Sequence, residues 1–497
     1  MRRHVLTDAA FAALAAGRLS AATVDELRRA QLSKHLLLLR AIVQAAPAQT
    51  KLWYAQLEAA DRADPPAARA VLADPLFGAW AAACLAALTS GKSPEEAGIA
   101  HLARVAAAAS HSTGDGTARR LSATCDGITI DVRLDDVDPL RTRLGLAPTG
   151  RLTDAEVAHW QRCLADAWRL LVARHRSDAE ILAAVLRVVV PVQPDPPAGG
   201  ISATSAEAFG AVAMSAPQDG TALAVGLLHE TQHNLLNATR YLFDLHRDPD
   251  AVGYSPWRDD PRPASGILHG AYAYLAMTRF WRTEAGRRAA FEFARWRSAV
   301  ASAADDLLDG GGLTPAGTRF VSALRDEVRP WLDEPVEADI ARLAAGANDD
   351  HRLRWRLRNL TVDPAAVQAL ADAWRRGLRP PQGALASRLI PAPRRALESS
   401  ERLKLTHRLL RGQPGGAAAA GDVAYLRGDV GTALCAYRNR VVARPRDDAA
   451  WAGLALVSGQ RALRERPEVV AAVYRALGES DQDPLALARW ISAPATP

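Results

Sequence analysis

The pentapeptide His229-Glu230-Thr231-Gln232-His233 is where this sequence most clearly spaces side chains for chemistry. Residues four apart on an α-helix lie one turn apart on one face, so the two imidazoles can ligate a single divalent metal. Glu230 then stands beside the ion, where a carboxylate can handle protons. The plainer reading is a pair of ordinary histidines on a helix surface. Against it stands the apolar run at 223–228, continued by Leu235 and Leu236, which predicts a largely buried helix. Buried imidazoles need partners. The histidine face also carries Gly226 one turn earlier and Asn237 and Arg240 later. A glycine there leaves room for a metal or a substrate, and equally suits helix packing.

Two histidines do not complete a metal site. The elongated zinc-protease pattern HExxHxxGxxH would need glycine at Leu236 and histidine at Thr239, so that class is excluded. In another zinc-protease arrangement a glutamate on a following helix is the third ligand. Glu284 and Glu292 are the nearest, and neither sits in a recognisable motif. His269 is the better candidate. It lies in Gly266-Ile267-Leu268-His269-Gly270-Ala271-Tyr272-Ala273, a second apolar helix whose small residues permit close approach of a neighbouring helix. A lone histidine in such a helix is otherwise simply packed and hydrogen-bonded. Between the two helices runs Tyr254-Ser255-Pro256-Trp257-Arg258-Asp259-Asp260-Pro261-Arg262-Pro263. Arg258 and Arg262, on a proline-stiffened loop, suit a bidentate grip on a carboxylate. The alternative is arginine–aspartate pairing at the surface.

The elements that must position these residues are mainly helical. Alanine, the best helix former, is strongly over-used. Apolar residues recur at helical spacing in 36–43, 52–60 and 80–88. A breaker follows at 110–116, then a strand through Ile128-Thr129-Ile130-Asp131-Val132. Thr153-Asp154-Ala155-Glu156 caps a long helix, and a helix at 178–188 ends in a proline-rich loop at 191–200. Residues 201–205 and 209–215 read as a hairpin. The motif helix is expected over 221–245, a loop over 246–263 and the second helix over 264–281. Helices at 283–308 and 315–332 flank Gly310-Gly311-Gly312. Beyond a composition shift near Pro335 the chain reads as helical. The expected fold is mainly α: an N-terminal helical region (1–113), a helical metal-binding catalytic domain with a small β-hairpin or sheet (114–334), and a tetratricopeptide-like C-terminal region (335–497).

That last label rests on one stretch. Gly421, Ala424, Tyr425, Leu426, Gly428, Asp429, Ala433, Tyr437 and Pro445, followed by Trp451, resemble one tetratricopeptide repeat. Arg440 departs from the small residue usual in its second helix. A generic helical hairpin explains the same residues.

Composition narrows the classes. With 497 residues, 49% of them hydrophobic, the chain can bury more than one core. The net charge of +6 is spread along the sequence without a basic block, so nucleic acid is not an expected partner. Cys84, Cys125, Cys163 and Cys435 are far apart with no CxxC pair, which argues against a disulfide framework or a zinc ribbon. Met1-Arg2-Arg3-His4 leads into an amphipathic stretch rather than a signal-peptide core, and Arg187 interrupts the richest apolar run. The expectation is a cytoplasmic protein with no membrane partner.

HETQH, YSPWRDDPRP and GILHGAYAYLAMTRFW, preceded by ISATSAEAFGAVAMS, together resemble the α-ketoglutarate-dependent HExxH-type peptide β-hydroxylase family of ribosomal peptide gene clusters. The resemblance covers residues 201–281 well and the flanking helices loosely. It implies an iron(II) oxygenase that uses α-ketoglutarate as cosubstrate, and dioxygen, to hydroxylate a β-carbon of a precursor peptide. It implies His229, His233 and His269 as iron ligands and Glu230 as a neighbouring proton-handling residue. Arg258 or Arg262 would then hold the α-ketoglutarate carboxylate. Two other readings stay open. One is a zinc metallopeptidase with Glu230 as general base, Zn(2+) being the alternative metal. The other is a non-enzymatic helical-repeat interaction protein.

Overall fold

Asp219 opens the helix that carries the motif. Its carboxylate accepts from the Ala222 amide at 2.7 Å, satisfying one of the free N–H groups of the first turn. The helix runs Gly220–Leu242. A Cβ at Gly220 would lie 2.5 Å from Asp166 Cβ, so the helix begins in close contact with the helix Asp154–Arg174. That neighbour carries the capping box foreseen at Thr153 and Glu156.

The computed structural model describes residues 4–110, 119–195, 200–248, 252–381, 386–390, 400–413, 419–478 and 482–492. It is 68% helix and 10% strand, a mainly α fold with small sheets, as expected. The chain divides into two compact units that interleave along the sequence. The first comprises Met1–Arg247, Ala271–Thr283 and Leu308–Glu327, the second Asp248–Gly270, Glu284–Leu307 and Val328–Pro497. The boundary expected at 113/114 and most of the breaker at 110–116 lie outside the described residues, as do parts of the loops at 191–200 and 246–263.

In the first unit, Thr7, Ser20, Asp64 and Asp74 each cap a helix of the N-terminal segment. Leu39, Ile42, Leu57, Phe77, Trp80 and Leu102 share one core there. Among the described residues no single helix is long and apolar enough to cross a membrane. One bent pair, Pro65–Leu72 with Pro75–Thr89, passes that test jointly. Phe77, Trp80 and Cys84 of that pair are buried in the core just named.

The sheet of this unit has five strands: β1 (Arg119–Cys125), β2 (Ile128–Leu134), β3 (Val188–Pro191), β4 (Ser202–Ala203) and β5 (Ala211–Met214). Their order is β1-β2-β3-β5-β4. The expected hairpin is present, with Ser202 opposite Met214 and Ala203 opposite Ala213. The helix expected at 178–188 ends earlier, at Val185, and Val188 begins β3. The reason is tertiary: β3 lies between β2 and β5, parallel to both, and all four of its residues are buried. A β-branched run suits a strand covered on both faces.

In the second unit the stretch expected as a loop at 246–263 contains a hairpin of β6 (Val252–Ser255) and β7 (Arg258–Pro263). The expectation that everything beyond Pro335 is helical is also corrected. β8 (Leu360–Val362) and β9 (Ser387–Leu389) pair across a long connection. Phe291 and Ala294 share a core cluster with Ile340, Leu343 and Leu405, so the boundary expected at 334/335 falls inside this unit. The repeat-like segment forms two helices, Ala420–Arg427 and Val430–Ala443, followed by Asp448–Ser458. Tyr437 explains two of the glycines: a Cβ at Gly421 would come within 3.0 Å of its ring, and one at Gly453 within 2.5 Å. Arg440, the departure from the repeat pattern, donates to Asp447 at 2.7 Å.

Candidate metal centre

His229 and His233 present their Nε2 atoms to each other at 3.1 Å, with the ring planes 89° apart. Two imidazole lone pairs facing at this distance need a proton or a cation between them. Donors about 2.1 Å from an ion can both reach the same one across this gap. His229, Glu230 and His233 form one group whose ligand atoms all lie within 4.8 Å of one another. Both histidines are half-buried, whereas Glu230 is only 2% exposed.

Burial dictates the protonation of this group. It holds His229 down at about 4, so the ring is neutral at physiological pH and free to ligate. Burial also pushes Glu230 up to about 7, against the hydrogen bonds from Ser202 and Thr204 that lower it. Ser202 Oγ donates to Glu230 Oε1 at 2.6 Å, while Glu230 Oε2 is buried with no hydrogen-bond partner. An orphaned carboxylate oxygen beside two convergent imidazoles is a fit for a divalent cation or for a ligand that the cation holds.

The surroundings fix the geometry. His229 Nδ1 lies 3.2 Å from Met277 Sδ, and the Tyr274 ring meets the His229 ring edge-on at 5.5 Å. Asn234 ties the motif helix to the sheet. Its Oδ1 accepts from the Gly210 amide at 2.8 Å, and its Nδ2 donates to the Glu230 carbonyl at 3.1 Å. Gly226 serves packing, because a Cβ there would stand 3.0 Å from Met214 Cε. Ser202, Thr204, Tyr274 and Met277 were not singled out in the sequence. The alternation of ISATS, with Ser202 and Thr204 on one face of a strand, was the available signal for the first two.

His269 belongs to the second unit and is not a member of the His229–Glu230–His233 group. Of the other third-ligand candidates, Glu292 is committed elsewhere. Its Oε2 accepts from Trp296 Nε1 at 2.8 Å and its Oε1 faces His407 Nε2 at 3.1 Å. Glu284 stands at the C-terminal cap of the second helix, Ala264–Thr283.

Arg258 and Arg262 converge on one carboxylate, that of Asp260. Arg258 Nε donates to Oδ1 at 2.9 Å, and Arg262 Nη1 donates to Oδ2 at 3.4 Å. Asp260 is 8% exposed, so this is the arginine–aspartate pairing weighed earlier, partly buried rather than at the surface. The small residues of the second helix receive this hairpin. The Arg262 guanidinium comes within 3.2 Å of where a Gly266 Cβ would be, and Trp257 Nε1 within 1.8 Å of a Gly270 Cβ. Gly270→Ala is therefore expected to destabilise the protein by about 1–3 kcal/mol or more, because the indole has to move. Thermal unfolding measures this. The double variant with Trp257→Ala should lose less than the sum of the single losses, and strict additivity would contradict the packing argument.

No family profile matches this chain, and no curated protein matches it.

Proposed function

We propose that this chain is a metal-dependent enzyme that binds one divalent ion through His229 and His233. The observation that carries this reading is the facing pair of Nε2 atoms 3.1 Å apart beside the unpartnered Glu230 carboxylate oxygen. The ion of choice is iron(II), with His269 as third ligand. The reaction is hydroxylation of a β-carbon in a ribosomally made peptide, with α-ketoglutarate and dioxygen consumed. The joint resemblance of HETQH, YSPWRDDPRP and GILHGAYAYLAMTRFW supports this step. His229, His233 and His269 would hold the iron, and a three-ligand protein set of this kind would leave room for α-ketoglutarate and dioxygen. When bound, iron would activate dioxygen, the oxidant, and α-ketoglutarate would supply two electrons as it loses carbon dioxide; one oxygen atom would end in the peptide hydroxyl and the other in succinate.

The protein's own residues do the rest. Buried Leu223, Leu227 and Leu228 hold the motif helix against its neighbours, so the two imidazoles keep their spacing. Ser202 orients Glu230. Arg258 and Arg262 supply the charge to hold the α-ketoglutarate carboxylate, which has to compete with Asp260.

A second reading has one observation in its favour. Glu230 lies within the 4.8 Å group and its carboxyl is held at about 7, which suits a general base acting on a zinc-bound water. That reading is a peptidase.

Anaerobic metal analysis with an α-ketoglutarate titration tests the proposal, the iron charge-transfer band being the readout. Mass spectrometry of the natural peptide should show a gain of one oxygen and no cleavage. Cleavage independent of α-ketoglutarate would overturn the oxygenase reading. His269→Ala should lose iron while Glu284→Ala and Glu292→Ala keep it. The reverse pattern would move the third ligand to a glutamate and favour zinc.

A further inference from the structure

A groove of about 610 Å³ opens at the far end of the repeat-like segment, lined by Arg444, Pro445, Arg446, Asp447, Tyr474 and Arg475. It belongs entirely to the second unit. Hydrogen bonds brace its floor. The Pro445 carbonyl accepts two hydrogen bonds, from Trp451 Nε1 and from Arg475 Nε, each at 2.9 Å. Arg475 also donates to Asp448 at 3.0 Å, so this arginine is a strut between the turn and the helix Pro467–Leu477. Asp447 is equally committed. One oxygen caps the next helix at the Ala450 amide and the other accepts from Arg440.

The two remaining cations are unspent. Arg444 and Arg446 are exposed, and among the described residues no ion pair engages either. They flank Pro445; the Tyr474 ring beneath is buried and packs edge-on against Trp451 at 5.4 Å. The groove thus pairs an apolar surface with two uncompensated positive charges. Guanidinium groups on such a rim select carboxylates with both geometry and charge.

We propose that this groove anchors an acidic stretch of a peptide, with Arg444 and Arg446 engaging its carboxylates and Pro445 giving an apolar contact between them. The inference rests on the reading of the substrate as a peptide, and is independent of the metal chemistry.

Fluorescence anisotropy of the full-length protein tests it, using fluorescein-labelled Glu-Ala-Glu-Phe-Glu-Glu and the same peptide with every Glu replaced by Gln. The acidic peptide should bind at least about tenfold more tightly, with affinity falling as salt rises. Arg444→Glu with Arg446→Glu should weaken it at least about tenfold. The milder Arg446→Gln should weaken it measurably, and serves if the double variant fails to fold. Arg461→Glu with Arg489→Glu changes net charge equally at exposed positions elsewhere and should lose far less. No preference for the acidic peptide, equal losses in both double variants, or equal competition by an oligothymidylate of the same charge would overturn the proposal. Peptide binding without oxygen gain would leave the groove standing and remove the oxygenase. Oxygen gain without binding here would do the reverse.

Discussion

Alanine at either His229 or His233 is expected to abolish stoichiometric metal binding. The two Nε2 atoms are the convergent donors of the site, and each is positioned by the helix rather than by a mobile loop. Losing a residue that merely orients a ligand already costs about 10–100-fold in affinity, so loss of a ligand itself should cost more than that. Metal content after dialysis, measured by elemental analysis on full-length protein, gives the answer. Each substitution also removes contacts in a half-buried site, since His229 touches Tyr274 and Met277. Thermal unfolding of the metal-free proteins separates that loss from the loss of the ion. Undiminished metal in both variants would sink the site.

The second large effect discriminates the two chemistries at Glu230. In a peptidase this carboxylate takes the proton from metal-bound water, so Glu230→Gln should cost about 10²–10⁴ in rate. In an oxygenase no water has to be deprotonated, and the variant should still consume α-ketoglutarate with iron and oxygen present, though more slowly. The substitution is gentle structurally. A glutamine carbonyl can still accept from Ser202 Oγ, as Glu230 Oε1 does at 2.6 Å. It also removes a charge that burial disfavours, so the metal-free variant should melt no lower than the parent. A variant that keeps α-ketoglutarate turnover supports oxidation. Loss of peptide cleavage from a parent that cleaves supports hydrolysis.

The parts of the site that were legible in the sequence are those with local causes. HETQH needs only the helical repeat to bring His229 and His233 together, and an apolar run announced that helix. It was expected over 221–245 and observed as Gly220–Leu242. The capping box at Thr153 and the helical hairpin around Tyr437 were readable for the same reason: the residues that fix them are neighbours in the chain.

What only the tertiary structure decided depends on partners far away in sequence. Val188-Val189-Val190 reads as helix or strand until β2 and β5 flank it, and the strand wins because both faces are covered. The Pro-, Asp- and Arg-rich segment after residue 251 forms a hairpin, and Gly266 and Gly270 leave room for its Arg262 and Trp257. β8 and β9 pair across a connection that no local pattern announces. The same holds at the metal centre. Its imidazoles follow from a spacing of four, whereas the Ser202 hydroxyl on Glu230 and the Met277 sulfur beside His229 arise from packing. A helical period places side chains on a face. Which groups that face then meets is set by long-range burial and hydrogen bonding, and those decide the charge state of Glu230.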